Sequence, residues 1–309
     1  MENYIRFDWA MKRLLREKAN HEVLEGFIES LLGEKFIIVD FLESEGNQES
    51  EFDKFNRVDM LVKNNKDELF IFEIQNEREI DYFQRILYGT SKVITEYISR
   101  SDEYGKIKKV YSISIVYFEL GQGKDYVYHG QTDFRGLHYK DDYLMLSERQ
   151  KIKFFGEQSD SKPVSCIFPE YYILRVDNFD KVAVTPLDEW INFLKTSEVK
   201  PNYSAPGLNK VRECMRIDSL SEEDRKAYYR HLEWVREQIG YIRTSLDDGI
   251  AIGIKQGIEQ GIEQGIEIGV EKGDRKRQLA TAIKMKNKGL PIDLIIECTD
   301  LTKEEINQL

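Results

Sequence analysis

The amino-acid sequence predicts an α/β protein with an all-helical C-terminal extension, and three observations carry that reading. Within the first 200 residues, short runs of β-branched and aromatic residues alternate with segments whose apolar positions recur at helical spacing. Beyond residue 210 the strand-like runs cease and helical periodicity takes over. One strand, LFIFEIQ (69 to 75), is mainly apolar on both faces, the mark of a central strand covered on two sides.

The elements follow in order. Tyr4, Phe7, Met11, Leu14 and Leu15 space a helix over residues 4 to 17, and His21 to Leu32 repeats the pattern up to a stop at Gly33. FIIVDFL (36 to 42) reads as a strand and is followed by the polar loop ESEGNQESEFDKF. VDMLVK (58 to 63) and LFIFEIQ are the next two strands, joined by a turn rich in Asn and Asp. A helix runs from Asp81 to about Arg100, and VYSISIVYF (110 to 118) is a further strand. Later strands fall in DYVYHGQTDF and CIFPEYYILRVD, and a helix begins near Pro186. KPNYSAPGLNK (200 to 210) has the composition of a linker, so the expected domains are 1–200, 201–273 and 274–309. Ser221 and Asp224 form a capping-box pattern ahead of a helical run through Tyr241.

Residues 249 to 273, GIAIGIKQGIEQGIEQGIEIGVEKG, place glycine at every fourth position. Each glycine costs a helix about 1 kcal/mol relative to alanine, so propensity alone does not select a helix here. A four-residue period lines the glycines along one drifting ridge with Ile or Val beside it, which permits close approach of another helix. The segment is either a stalk for homo-oligomers or a semi-flexible spacer. After it, Leu279, Ile283 and Met285 lie on a helix ended by Gly289, Pro291 opens a second, and Thr302 with Glu305 caps a third. Three short helices suit a helix-turn-helix DNA reader and a small docking cap equally.

Composition narrows the function classes. A net charge of -11 argues against a protein that coats nucleic acid non-specifically, though not against a local basic cleft. No run reaches the 18 or so apolar residues of a membrane helix, and the N-terminus lacks the features of a signal peptide, so the expected location is cytoplasmic, with no membrane partner. Cys166, Cys214 and Cys298 match no metal or redox spacing.

The chemistry concentrates in FNRVDMLVKNNKDELFIFEIQNE (55 to 77). Strand alternation puts Leu69, Ile71, Glu73 and Gln75 on one face. With a turn at Asn64 to Glu68, Lys63 pairs with Leu69 and Asp59 falls opposite Glu73, with Cβ atoms about 4.5–5.5 Å apart. Two ionised carboxylates so placed repel, and burial raises their pKa values. A retained proton, an intervening base such as Arg57, or a divalent cation relieves the conflict. Mg²⁺ suits the oxygen ligands best, because it accepts carboxylates and keeps waters for substrate chemistry.

Asp59, fourteen residues, then Glu73-Ile74-Gln75 at the end of an apolar strand resembles the PD-(D/E)xK nuclease motif, with Gln75 where lysine usually stands. FDWAMKRLLRE, FEIQNE, RILYGTSKVI and YSISIVYF, in that order and with the Gly-Ile repeat, resemble the Rpn family of recombination-promoting nucleases and transposases. The resemblance implies a restriction-endonuclease-like core, a mixed sheet flanked by helices, and a Mg²⁺- or Mn²⁺-dependent DNA endonuclease whose cuts promote recombination. It implies Asp59, Glu73 and the Ile74 carbonyl as metal ligands and Gln75 as the group that positions water. Asp8 and Lys12 match the family's N-terminal catalytic pattern, with Met11 in place of an aromatic residue. Arg85 and Tyr88 match its Arg-x-x-Tyr segment and are implied as phosphate contacts. Glutamine can only hydrogen-bond where lysine would also supply charge, which leaves open a nuclease-fold module that binds DNA or protein without cutting.

Overall fold

A computed structural model describes residues 4–42, 59–98, 103–156 and 162–309, apart from the side chain of Lys12. Arg57 lies outside the described residues. Six described strands form one sheet: β1 (Ile38–Leu42), β2 (Met60–Asn64), β3 (Leu69–Gln75), β4 (Val110–Val116), β5 (Val127–Gly130) and β6 (Glu170–Arg175), in the order β1-β2-β3-β4-β6-β5. β1, β2 and β3 pair antiparallel, β3, β4 and β6 pair parallel, and β5 closes the far edge antiparallel. The helices are α1 (Phe7–Arg13), α2 (His21–Leu32), α3 (Tyr82–Glu96), α4 (Glu148–Phe155), α5 (Pro186–Thr196), α6 (Leu208–Cys214), α7 (Glu222–Asn287), α8 (Ile292–Thr299) and α9 (Lys303–Gln308). The result is a mixed sheet flanked by helices, with a C-terminal helical region.

Alternation along β3 determines what covers each face. Phe70, Phe72 and Ile74, with Ile113 and Ile115 of β4, join a core that includes Phe7 of α1, Phe27 of α2 and Trp190 and Phe193 of α5. Phe7, Phe27 and Phe193 meet Trp190 edge to face at centroid distances of 6.0, 5.4 and 5.8 Å. On the opposite face, Leu69 and Ile71 pack with Val93 of α3, while Val116 packs with Tyr82 and Ile86 of the same helix. β3 is therefore covered on both sides, and six of its seven residues are buried.

The first helix is shorter than the 4 to 17 expected. Tyr4 bridges to Arg216 and Ile5 N–H donates to Met215 at 2.7 Å, so those residues lie extended against the chain ahead of α7. Leu14 and Leu15 keep helical spacing because Leu15 is buried in the core, while the backbone turns away after Arg13. Segment 200 to 210, expected as a linker, is packed: Tyr203, Ala205, Leu208 and Val211 are buried, and Trp190 Nε1 donates to Pro206 O at 3.0 Å. Its turn residues serve close approach instead. A Cβ on Gly26 would lie 2.3 Å from Pro206 backbone atoms, and Gly207 holds a φ of +79° against α2. One helix was not expected: α4, which carries a Ser147–Gln150 capping box.

The chain divides into two compact units, Met1–Val235 and Arg236–Leu309. Within the second, the glycine repeat is helical throughout. A Cβ added at any of its glycines from Gly249 to Gly273 meets nothing within 4 Å, and Ile254, Ile258, Ile262 and Ile266 are 58–62% exposed. Beyond the repeat, Ala282, Ile295, Leu301 and Ile306 form a small core with Leu279 and Met285, Gly289 ends α7 at φ +74°, and Thr302 caps α9. No helix of the described residues is long and apolar enough to cross a membrane.

Candidate active site

The β2–β3 ladder runs with Lys63 opposite Leu69 and Met60 opposite Phe72, the register expected from the turn. The ladder stops there, and Asp59 is the residue just ahead of β2. Here the ladder changes character: Ile74 N–H donates to the Asp59 side chain, Oδ2, at 2.8 Å. That bond orients the Asp59 carboxylate towards the end of β3. The backbone oxygen of Asp59 in turn accepts from Arg16 at 3.2 Å.

Glu73 is 5% exposed, beneath α3. Arg85 Nε approaches its Oε2 only to 3.9 Å, because the same guanidinium is committed to Glu79 at 2.9 Å, and the Tyr82 hydroxyl donates to Glu73 at a long 3.5 Å. Burial therefore prevails over Arg85, the nearby Asp59 charge adds to it, and the Glu73 carboxyl is pushed up to about 7. Tyr82, also buried and next to Glu73, is shifted upward too. The carboxylate at the centre of the motif thus has only a shared guanidinium near it among the described residues.

A pocket of about 280 Å³ opens at the end of β3, walled by Asp8, Asp59, Glu73, Ile74, Gln75, Asn76, Glu77, Arg85, His231 and Trp234. The fold thereby brings together most of the residues singled out in the sequence. Tyr88, one helical turn beyond Arg85, is 38% exposed and is not part of the wall. Asp8 is 3% exposed and saturated with donors: Arg6 Nη2 at 3.1 Å, Trp9 N–H at 2.8 Å, Asn76 Nδ2 at 3.2 Å and His231 Nε2 at 3.3 Å. Burial opposes ionisation, but the hydrogen bond from His231 and the charge of Arg6 outweigh it and hold this carboxyl well below the usual range. Asp8 and Glu73 are thus driven in opposite directions within one pocket.

Sequence reasoning missed Asn76, Glu77, His231 and Trp234. The first two directly follow Gln75 in the phrase FEIQNE and were legible by adjacency. The other two come from the start of α7, and no spacing rule connects His231 to Asp8, 223 residues away.

No group of three or more His, Cys, Asp or Glu side chains among the described residues is arranged to hold a metal ion. The Asp59 and Glu73 carboxylates at the pocket wall nevertheless fit a hard divalent cation, which needs only one or two carboxylates and keeps water in its remaining positions.

A family model described as PD-(D/E)XK nuclease family transposase matches residues 5–155. No curated protein and no solved structure matches the chain. The matched span includes Asp8, Asp59, Glu73, Gln75 and Arg85 and stops before His231 and Trp234. It supports a nuclease-type function, and PD-(D/E)XK nucleases generally use divalent metal ions. Residues 5–155 of this chain are therefore similar to the PD-(D/E)XK nuclease transposase family.

Proposed function

We propose that the protein is a Mg²⁺- or Mn²⁺-dependent endonuclease that hydrolyses phosphodiester bonds of DNA and so promotes recombination. The observation that carries this reading is the buried Glu73 at the end of β3, which lines one pocket with Asp59 and has Arg85 3.9 Å away and shared with Glu79. Asp59, Glu73 and the Ile74 carbonyl would hold the ion. When bound, a divalent ion supplies positive charge for the phosphate and lowers the pKa of water.

The chain's own groups do the rest. The Ile74 amide holds the Asp59 carboxylate in one orientation before any ligand arrives. Gln75, at the strand end and on the pocket wall, orients a water by hydrogen bonding, since its amide both donates and accepts. Arg85, already shared between Glu73 and Glu79, presents a guanidinium at the wall for a phosphate oxygen. Asp8, with every donor around it engaged, acts as a positioning residue.

The test is plasmid cleavage with Mg²⁺ or Mn²⁺ by wild type beside Asp59→Ala and Glu73→Ala. The proposal requires both variants to fall by at least about 100-fold. Equal cleavage by all three would sink the assignment. A second reading, a module that binds DNA without cutting, is favoured by Gln75 in place of lysine. It gains if wild type shows salt-sensitive DNA binding and no cleavage with either ion.

A further inference from the structure

We infer that His231 is the general base of this nuclease and that Asp8 positions it, an assignment that rests on the proposed phosphodiester hydrolysis. His231 and Trp234 stand one helical turn apart at the start of α7, and both line the pocket that holds Asp59, Glu73 and Gln75. The two rings lie nearly parallel, 27° apart, with centroids at 6.1 Å. His231 Nε2 is 3.3 Å from Asp8 Oδ2. Asp8 is itself immobilised by Arg6, Asn76 and the Trp9 amide. An ionised carboxylate accepts only, so the neutral imidazole carries its proton on Nε2 and leaves Nδ1 as the basic nitrogen. Among the described residues Nδ1 has no hydrogen-bond partner.

A base oriented by a buried carboxylate, on the wall of the pocket that holds the scissile group, is the arrangement that proton abstraction requires. It also supplies what Gln75 cannot. An amide side chain does not take up a proton at neutral pH, so a site with glutamine in the lysine position needs its base from elsewhere. In the step assigned here, a water oxygen bonds to phosphorus as its proton passes to His231 Nδ1. The bond from phosphorus to the leaving sugar oxygen breaks with its electron pair on that oxygen. The imidazolium then returns the proton to the leaving oxygen or to solvent, and Asp8 stabilises the charge held meanwhile.

Among the described residues, the charged groups that share the pocket wall with His231 are Asp8, Asp59, Glu73 and Glu77 and, from α3, Arg85, while Arg6 bonds to Asp8. Tyr228 lies one turn back on α7, where its hydroxyl accepts the Arg6 amide at 3.2 Å.

The experiment measures Mg²⁺-dependent plasmid cleavage against pH for wild type, His231→Ala, His231→Gln and Asp59→Ala, together with DNA affinity and thermal stability of each. His231→Ala should lose about 10²- to 10³-fold in cleavage rate with DNA affinity unchanged. The acidic limb of its pH profile should disappear, and added imidazole should restore at least tenfold of the lost rate. His231→Gln should be as slow and gain nothing from imidazole. Cleavage by His231→Ala within about threefold of wild type, while Asp59→Ala is inactive, overturns the base assignment and leaves the nuclease reading standing. A slow His231→Ala with an unaltered pH limb and no imidazole rescue assigns the residue to structure and likewise overturns it. Absence of cleavage by wild type with either ion overturns the nuclease reading and the base assignment together.

Discussion

Asp59 Oδ2 accepts the amide of Ile74 at 2.8 Å, so a side chain takes over at the point where backbone pairing between β2 and β3 ends. The same carboxylate ends the β2–β3 ladder and lines the pocket, which joins folding to ligand binding at one residue. Asp59→Asn keeps an oxygen that can accept this bond but removes the charge. It should therefore hold stability within about 1 kcal/mol of wild type while Mn²⁺ affinity, followed by calorimetry, falls at least tenfold. Asn and wild type binding the ion equally well would remove Asp59 from the ligand set.

Glu73 makes a pH-dependent prediction for the metal-free protein. Its folded carboxyl is raised from an ordinary 4.5 to about 7, so the folded state binds more protons than the unfolded chain in that window. Stability falls as pH rises from 4.5 to 7, and the full cost of the buried charge is present above 7. Glu73→Gln should be more stable than wild type at pH 8, by at most on the order of 3 kcal/mol, with the difference vanishing near pH 4. Chemical denaturation at the two pH values checks the sign. Millimolar Mg²⁺ should stabilise wild type and leave the variant unchanged.

Asp8 has the opposite dependence. Its folded carboxyl is held below the ordinary range, so the stability it contributes is present above the unfolded value and is lost as pH falls through the folded one. Asp8→Ala strands Arg6 and Asn76 beside a pocket that water can enter, and should cost about 2–4 kcal/mol at pH 7. The deficit should shrink at low pH. A deficit independent of pH would show that packing, not charge, is lost.

Glycines at two places predict opposite outcomes for the same substitution. At Gly26 a Cβ would meet Pro206 backbone at 2.3 Å, so Gly26→Ala should cost several kcal/mol or prevent folding. At Gly240, in α7 outside the repeat and with nothing within 4 Å, Gly240→Ala should stabilise the helix by about 1 kcal/mol. Circular dichroism melts of the two variants separate these effects.

For the repeat, deletion of residues 249 to 273 with mass measured in solution decides between stalk and spacer. We propose the stalk, because an exposed Ile row beside a glycine ridge offers a close-packing face, and the deletion should lower the mass to that of one chain.

The sequence by itself determined the strands and the β2–β3 register. Apolar alternation admits only one pairing that buries Phe70 and Phe72, and an Asn-Asp turn sets Lys63 against Leu69. The register also predicts Asp59 near Glu73, and both line one pocket. Periodicity misjudged the first helix and composition misjudged the 200 to 210 segment, because Leu15 and Tyr203 are apolar for a core that the chain reaches without regular local structure. Only the tertiary structure decided how the charges balance. The split commitment of Arg85, the saturation of Asp8 and the presence of His231 at the pocket depend on contacts across tens to hundreds of residues. Side-chain periodicity encodes which face a residue occupies, whereas a carboxylate's partners depend on which distant elements the packed core brings beside it.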